Sequence, residues 1–316
     1  DPLLHLRLRH QRRSLMFDLG DGSRLPARIA HQLSDVFISH AHVDHIAGFI
    51  WLLRSRIGEA SLCRLHGPPG LAGHIEGLIS GIRWDRIGDR GPRFEVLELH
   101  GDNLKRYALQ AGKPGAKALA DQPAPDGVLL DDPGFLVRAV TLDHGISVLA
   151  FAFEASRQIN VRKEQLAQHR LEPGPWLTRL KHHILAGELD EMVLLPDGRS
   201  EMVASLAAGL TLTRQGVKLV YATDFADTLD NRKRLVGLAQ AAHTLFCEST
   251  FSVREAEQAR RTGHLTTRAC AEIANQAQVE HLIPFLFSRR YDSRPWELYD
   301  EIAALCPRVV IPRPVP

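Results

Sequence analysis

Ser39-His40-Ala41-His42-Val43-Asp44-His45 is the stretch on which the reading of this chain turns. Just before it, Asp35-Val36-Phe37-Ile38 reads as a short buried strand. Just after it, Ile46, Phe49, Ile50, Leu53 and Ile57 recur on one face, which predicts a helix starting near Asp44. His40 and His42 stand two apart in an extended loop, so both can point to one side and share a cation. Asp44 and His45, at the following turn, can reach a neighbouring cation. Imidazole nitrogen and carboxylate oxygen bind zinc-like ions at ~2.0–2.2 Å, and hydrolytic sites keep a position open for water. Two such ions ~3.5–4 Å apart can hold a hydroxide and stabilise both oxygens of an in-line displacement.

Outward from that loop the pattern is mixed α/β. Leu3 to Arg9 alternates apolar and charged residues and turns at His10–Arg13 into Leu15-Met16-Phe17-Asp18-Leu19, a hairpin. Further strands are expected at 62–66, 94–99, 135–142, 147–153, 217–221, 244–247 and 281–286. Helices are expected at 71–82, 266–277 and 296–305, and a surface loop at 112–133, which is rich in Gly, Pro, Ala and Asp. Residues 155–200 are polar and basic around Pro173-Gly174-Pro175, as in a projecting excursion.

Composition narrows the classes. The chain has 316 residues, 44% hydrophobic and 24% charged, enough to bury a full core in one large domain or two average ones. No apolar run approaches the ~18–20 residues a membrane span needs. The charges between Asp1 and Arg13 are not followed by an apolar core of signal-peptide length. The first residue is Asp1 rather than Met, which leaves the natural N-terminus open. Cys63, Cys247, Cys270 and Cys306 lie far apart without metal-like spacing and read as reduced thiols of a cytosolic protein. A net charge of +2 permits a nucleic-acid partner without demanding one. Sixteen histidines are an unusually large share, and histidine is the commonest metal ligand. His5, His10, His31, His100, His169 and His243 have no partner pattern, and no Gly-x-Ser-x-Gly elbow of a serine hydrolase is present.

His40-x-His42-x-Asp44-His45 is identified as the signature of the metallo-β-lactamase superfamily, and the rest of the chain most resembles its ribonuclease Z branch. Phe17-Asp18-Leu19-Gly20 resembles the strand and turn before the signature, and His66-Gly67-Pro68 the turn after the first helix. Leu142-Asp143-His144 is similar to a later single-His motif, and Val220-Tyr221-Ala222-Thr223-Asp224 to the strand ending in a bridging Asp. Phe246 to Phe251 resembles a Glu-x-Thr segment, Gly263-His264 a Gly-His element, and Phe287-Ser288-Arg289-Arg290-Tyr291 a Ser-x-Arg-Tyr element. Their order holds over roughly residues 15–292.

This resemblance implies a four-layer αββα sandwich spanning 1–316 as a single domain, with a basic arm around 155–190. It implies a first metal on His40, His42, His144 and Asp224, and a second on Asp44, His45 and Asp224. The ions would be zinc, with manganese or iron as alternatives. Asp44 would take the proton of the attacking water, His264 would protonate the leaving oxygen, and Glu248 would orient His264. In that branch a His stands where Leu286 stands here, so one protein ligand of the second metal is replaced by a hydrocarbon. The segment Ala222-Thr223-Asp224-Phe225 stands for the usual Gly-Asp-Thr, and Leu265 for a small hydroxyl residue.

The activity implied is a cytoplasmic, homodimeric phosphodiesterase that cuts precursor tRNA. Its arm, residues 157–183 with Arg157, Arg162, Lys163, Arg170, Arg179 and Lys181, would hold RNA phosphates, which gives salt-dependent binding without reading sequence. His182 and His183 read as solvated residues of that arm. Two rivals stay open: a hydrolase of a small ester or phosphodiester, and a non-catalytic relative that binds metal or RNA.

Overall fold

Strand alternation sorts the core into two faces. In the computed structural model, which describes residues 1–8, 11–58 and 61–311, the first part of the chain builds one sheet. Its strands are β1 (Leu4–Arg7), β2 (Ser14–Phe17), β3 (Leu33–Phe37), β4 (Cys63–Gly67), β5 (Arg93–His100), β6 (Asn103–Gln110), β7 (Lys117–Ala118) and β8 (Gln122–Pro123). They lie in chain order through β7, with β8 also on β6, and the pairs β2–β3, β3–β4 and β4–β5 are parallel. A second sheet starts with β9 (Val128–Asp132), β10 (Phe135–Asp143) and β11 (Ser147–Ala155). The chain then passes through β12 (Gln158–Val161), β13 (Met192–Leu194), β14 (Ser200–Met202) and β15 (Thr211–Arg214). It returns with β16 (Lys218–Ala222), β17 (Thr244–Glu248) and β18 (His281–Phe285), giving the order β18-β17-β16-β11-β10-β9.

Met16, Val36, Leu65 and Val96 turn outward and bury Phe49, Leu52, Leu71 and Ile75 of the covering helices. Phe17 and Phe37 turn inward and meet the second sheet, with ring centroids 5.8 and 5.7 Å from Phe151 and 5.8 Å between Phe17 and Tyr221. On the far side Val220, Ala222, Leu245 and Leu282 pack on Leu235, Leu238, Cys270 and Ile273 of two more helices. Each element is apolar toward its neighbour layer, so removing that surface from water holds the stack together. The four-layer αββα arrangement is the one the resemblance implies.

The chain divides into two compact units, one of residues 1–132, 136–153 and 218–316, the other of 133–135 and 154–217. The second has a core of its own, including Leu166, Trp176, Leu180, Val193, Val203 and Leu206. What composition marks as a basic arm over 155–190 is thus part of a cored unit that continues to Val217.

Two local expectations change. The helix expected from Asp44 through Ile57 is two, Val43–Ile46 and Phe49–Ser55. At the break the Gly48 N–H donates to the Leu19 carbonyl at 2.8 Å, and a Cβ on Gly48 would sit 2.1 Å from the Gly20 oxygen. Only glycine lets the chain dock there. The surface loop expected over 112–133 contributes β7, β8 and β9, short strands that its Gly and Pro content hides. Residues 9, 10 and 312–316, including His10 and most of the Pro-rich end, lie outside the described residues.

Candidate metal centre

Parallel pairing decides where the polar residues gather. β2 and β3 run parallel, as do β16, β17 and β18, so their carboxyl ends reach the same edge. Asp18 follows β2, His40 to His45 follow β3, and His144 occupies the turn between β10 and β11. Asp224 follows β16, Glu248 ends β17 and Leu286 follows β18.

There the donor atoms of His40, His42, His144 and Asp224 all lie within 4.8 Å of one another, a set that could hold one ion. The same holds for Asp44, His45 and Asp224, and for Asp224, Glu248 and His264. Nε2 of His40 lies 2.9 Å from Nδ1 of His42 and 3.6 Å from Asp224 Oδ2, while His45 Nε2 is 3.0 Å from that carboxylate.

Each ring is held from behind. Ser39 Oγ donates to Asp18 Oδ2 at 2.9 Å and accepts from His40 Nδ1 at 3.0 Å. His45 Nδ1 donates to Asp18 Oδ2 at 2.9 Å, and His144 Nδ1 donates to the Gly263 carbonyl at 2.8 Å. With Nδ1 so engaged, Nε2 of His40 and His144 faces the centre, the orientation a metal ligand needs, while Nε2 of His45 faces Asp224, where a cation would take the place of a proton. Asp18 anchors this outer layer. It is fully buried at φ +56 and also accepts from the Ser39 N–H at 2.7 Å and from the Tyr221 hydroxyl at 3.0 Å. Gly263 (φ +72) closes the helix Ala256–Thr262, turns its carbonyl to His144 and delivers His264.

Electrostatics suit a cation. Burial, then the neighbouring imidazole of His45, pushes His40 down to about 3, so its lone pair is free. Burial and His144 lower His42 likewise. The hydrogen bond from His45 holds Asp44 well below the usual carboxylate range. Burial opposes a proton on His45, yet Asp18, Asp224 and Asp44 outweigh it and push the ring up to about 12. The carboxylates that favour a proton there favour any positive charge. Imidazole nitrogens, with His40 and His42 held neutral, and the ionised carboxylates of Asp44 and Asp224 converge as the donor set of a divalent cation, and the residues present fit one.

His264 stands at the rim of this centre. Its Nδ1 lies 3.3 Å from Glu248 and 3.7 Å from Asp224 Oδ1. Burial disfavours its protonated form, but the Glu248 hydrogen bond and charge outweigh burial and raise its pKa. Glu248, fully buried, is fixed by the N–H groups of Phe225 and Leu265 at 2.9 and 3.1 Å and by the Thr250 hydroxyl at 2.7 Å. His42, Asp44, His144, Asp224, His264 and Leu286 line a common cavity of about 680 Å³. Leu286 itself is held at φ +57, a conformation leucine rarely adopts.

The metal-ligand and proton-transfer residues expected from sequence, His40, His42, Asp44, His45, His144, Asp224, Glu248 and His264, thus come together, while the basic residues 157–183 belong to the second unit. Asp18, Ser39 and Tyr221 were missed as parts of the site. The readable signal was Asp18, a carboxylate ending the apolar run Leu15-Met16-Phe17.

No protein-family model matches the chain. It is 28% identical over 286 residues to a protein named Ribonuclease Z from Deinococcus radiodurans, across 89% of this chain and 84% of that one. To the Ribonuclease Z of a Picosynechococcus species it is 30% identical over 298 residues, 90% of this chain and 79% of the relative. Among solved structures, the metallo-beta-lactamase fold protein YhfI from Bacillus subtilis superimposes with a TM-score of 0.52 at 14% identity, over 95% of this chain and 83% of that one. Similarity of that extent to the curated relatives settles the matter of kinship: the chain belongs to the ribonuclease Z family.

Proposed function

We propose that this protein is a metal-dependent endoribonuclease that cuts precursor tRNA on the 3′ side of the acceptor stem and leaves a 3′-hydroxyl on the tRNA. The observation that carries the reading is the meeting of His40, His42, His144, Asp224 and His264, from separate segments, at one cavity. His40, His42, His144 and Asp224 would hold a first ion, and Asp44, His45 and Asp224 a second. Zinc suits these nitrogen and oxygen donors, with manganese or iron as alternatives. A divalent cation bound there supplies a Lewis acid that makes water nucleophilic near neutral pH and stabilises charge on a phosphodiester.

The chain's own groups handle the protons. Asp44, with its side chain 40% exposed and kept ionised by His45, takes the proton of the attacking water. The water oxygen joins phosphorus as the P–O3′ bond breaks, and the phosphate departs with the trailer. His264, its protonated form favoured by Glu248, gives a proton to O3′, without which an alkoxide leaves poorly. Because Nδ1 faces Glu248, Nε2 is the nitrogen left to donate.

The exposed Lys163, Arg170 and Arg179 of the second unit would bind RNA phosphates. Arg162 is otherwise engaged, donating to the Ala208 and Gly209 carbonyls at 3.0 and 2.6 Å. A homodimer and a cytoplasmic location complete the reading, and four free, buried cysteines support the latter. Leu286 favours a second reading, a relative that binds RNA without cutting it, because the hydrocarbon supplies no donor in the cavity.

A precursor tRNA with a labelled 3′ trailer separates the two. Cleavage to a 3′-hydroxyl tRNA and a 5′-phosphorylated trailer, abolished by a chelator, is the expected outcome. Binding without cleavage at saturating zinc or manganese would favour the second reading.

A further inference from the structure

His264 lines two cavities. One is the metal cavity; the other, of about 410 Å³, is also lined by Asp227, Thr228, Arg260 and Thr266. Arg260 belongs to the last turn of the helix Ala256–Thr262, and the His264 N–H donates to the Ala259 carbonyl at 2.9 Å. One turn of backbone therefore fixes the arginine beside the imidazole. Among the described residues the exposed Arg260 guanidinium has no hydrogen bond or ion pair. Asp227 does not offset its charge, because that carboxylate is held by Arg232 at both oxygens, Nη2 to Oδ2 at 2.9 Å and Nε to Oδ1. Thr228 and Thr266 Oγ1 accept from the Asn231 and Ala269 N–H groups at 3.2 and 3.3 Å, which leaves both hydroxyl hydrogens to donate. The cavity so offers a free guanidinium and two hydroxyl donors next to a proton donor. That is the chemistry of a phosphate ester site.

We propose that this cavity receives the nucleotide that keeps the leaving oxygen, with Arg260 on the phosphate at its 5′ side. The proposal rests on the reading of His264 as the donor to O3′. In an in-line displacement water enters opposite the bond that breaks. The nucleotide bearing O3′ therefore lies on the His264 side, and its preceding phosphate one sugar further out, toward Arg260.

Adenosine 5′-monophosphate carries that phosphate and a free 3′-hydroxyl, while adenosine lacks the phosphate. Their binding to the full chain is compared by NMR titration for the parent, Arg260→Ala and Arg260→Lys. The monophosphate should bind the parent about tenfold more tightly than adenosine does, as expected for one charged hydrogen-bonded pair. Arg260→Ala should abolish that difference and Arg260→Lys should keep part of it. With precursor tRNA, Arg260→Ala should raise KM about tenfold and lower the slope of log affinity against log salt by about 0.7, the single-strand value for one phosphate. Unchanged monophosphate binding by Arg260→Ala would overturn the proposal. Loss of monophosphate selectivity in Arg260→Ala, with a parent that keeps it but fails to cut precursor tRNA, would keep the phosphate site and sink the RNA reading. Cleavage by the parent without any Arg260 effect would do the reverse.

Discussion

Asp18 touches none of the donor atoms' open faces, yet it orients two histidines at once, His45 directly and His40 through Ser39. Its place in the motif was legible, because an Asp ends an apolar strand. Its partners were not: Tyr221 stands 203 positions away in the other sheet, a pairing no local pattern encodes. Leu286 is the converse case, legible as a departure before any geometry was known. Its position lines the cavity with Asp44 and Asp224 at φ +57, where histidine is better tolerated than leucine. Leu286→His should therefore add a donor without adding backbone strain. Metal content after identical dialysis should move toward two ions per chain, and hydrolysis of a small phosphodiester should rise by about tenfold or more. Two tightly held ions in the Leu286 protein, with no gain from histidine, would show that this position does not limit the centre.

The helices at 71–80, 267–276 and 296–305 were legible from their apolar faces, but a break in a helix was not, because it depends on what the helix docks against. Gly48 is such a break, set by the Leu19-Gly20 turn rather than by its own neighbours. β3 and β4 also share a polar feature that only pairing reveals. Asp35, fully buried, accepts from Arg64 Nε at 2.7 Å and from His66 Nε2 at 3.0 Å. Burial opposes its ionisation, but the hydrogen bonds and charges of His66 and Arg64 outweigh burial and hold it well below the usual carboxylate range. A carboxylate with a depressed folded pKa stabilises above its unfolded value near ~4, and that contribution fades as pH falls through the folded value. Asp35→Ala should thus lose about 2–4 kcal/mol at pH 7 in urea unfolding, since buried partners are left unmatched. The gap to the parent should narrow below about pH 4. A gap constant from pH 7 to pH 3 would mean that Asp35 acts by shape rather than charge.

At the scale of the whole molecule, the sandwich was legible because the order of short motifs over most of the chain constrains which strands must end together. The second unit was legible as a basic excursion over 155–200, but its core was not, because Leu166, Leu180 and Leu206 are scattered among charges and meet only once the chain folds back. That unit offers a prediction of its own. Neutralising the exposed Lys163, Arg170 and Arg179 together should weaken precursor-tRNA binding and flatten its salt dependence, by up to ~0.9 log-log units for each phosphate left without its cation. An unchanged slope would make this face an ordinary solvated one. The central claim, that one metal centre built from His40, His42, His144 and Asp224 cuts precursor tRNA, is tested most directly by measuring bound metal and cleavage on the same preparation. Metal is removed by chelation and then restored stepwise. Cleavage should vanish with the metal and return in proportion to bound zinc or manganese. Full cleavage by the stripped protein, or none by the reloaded one, would contradict the account.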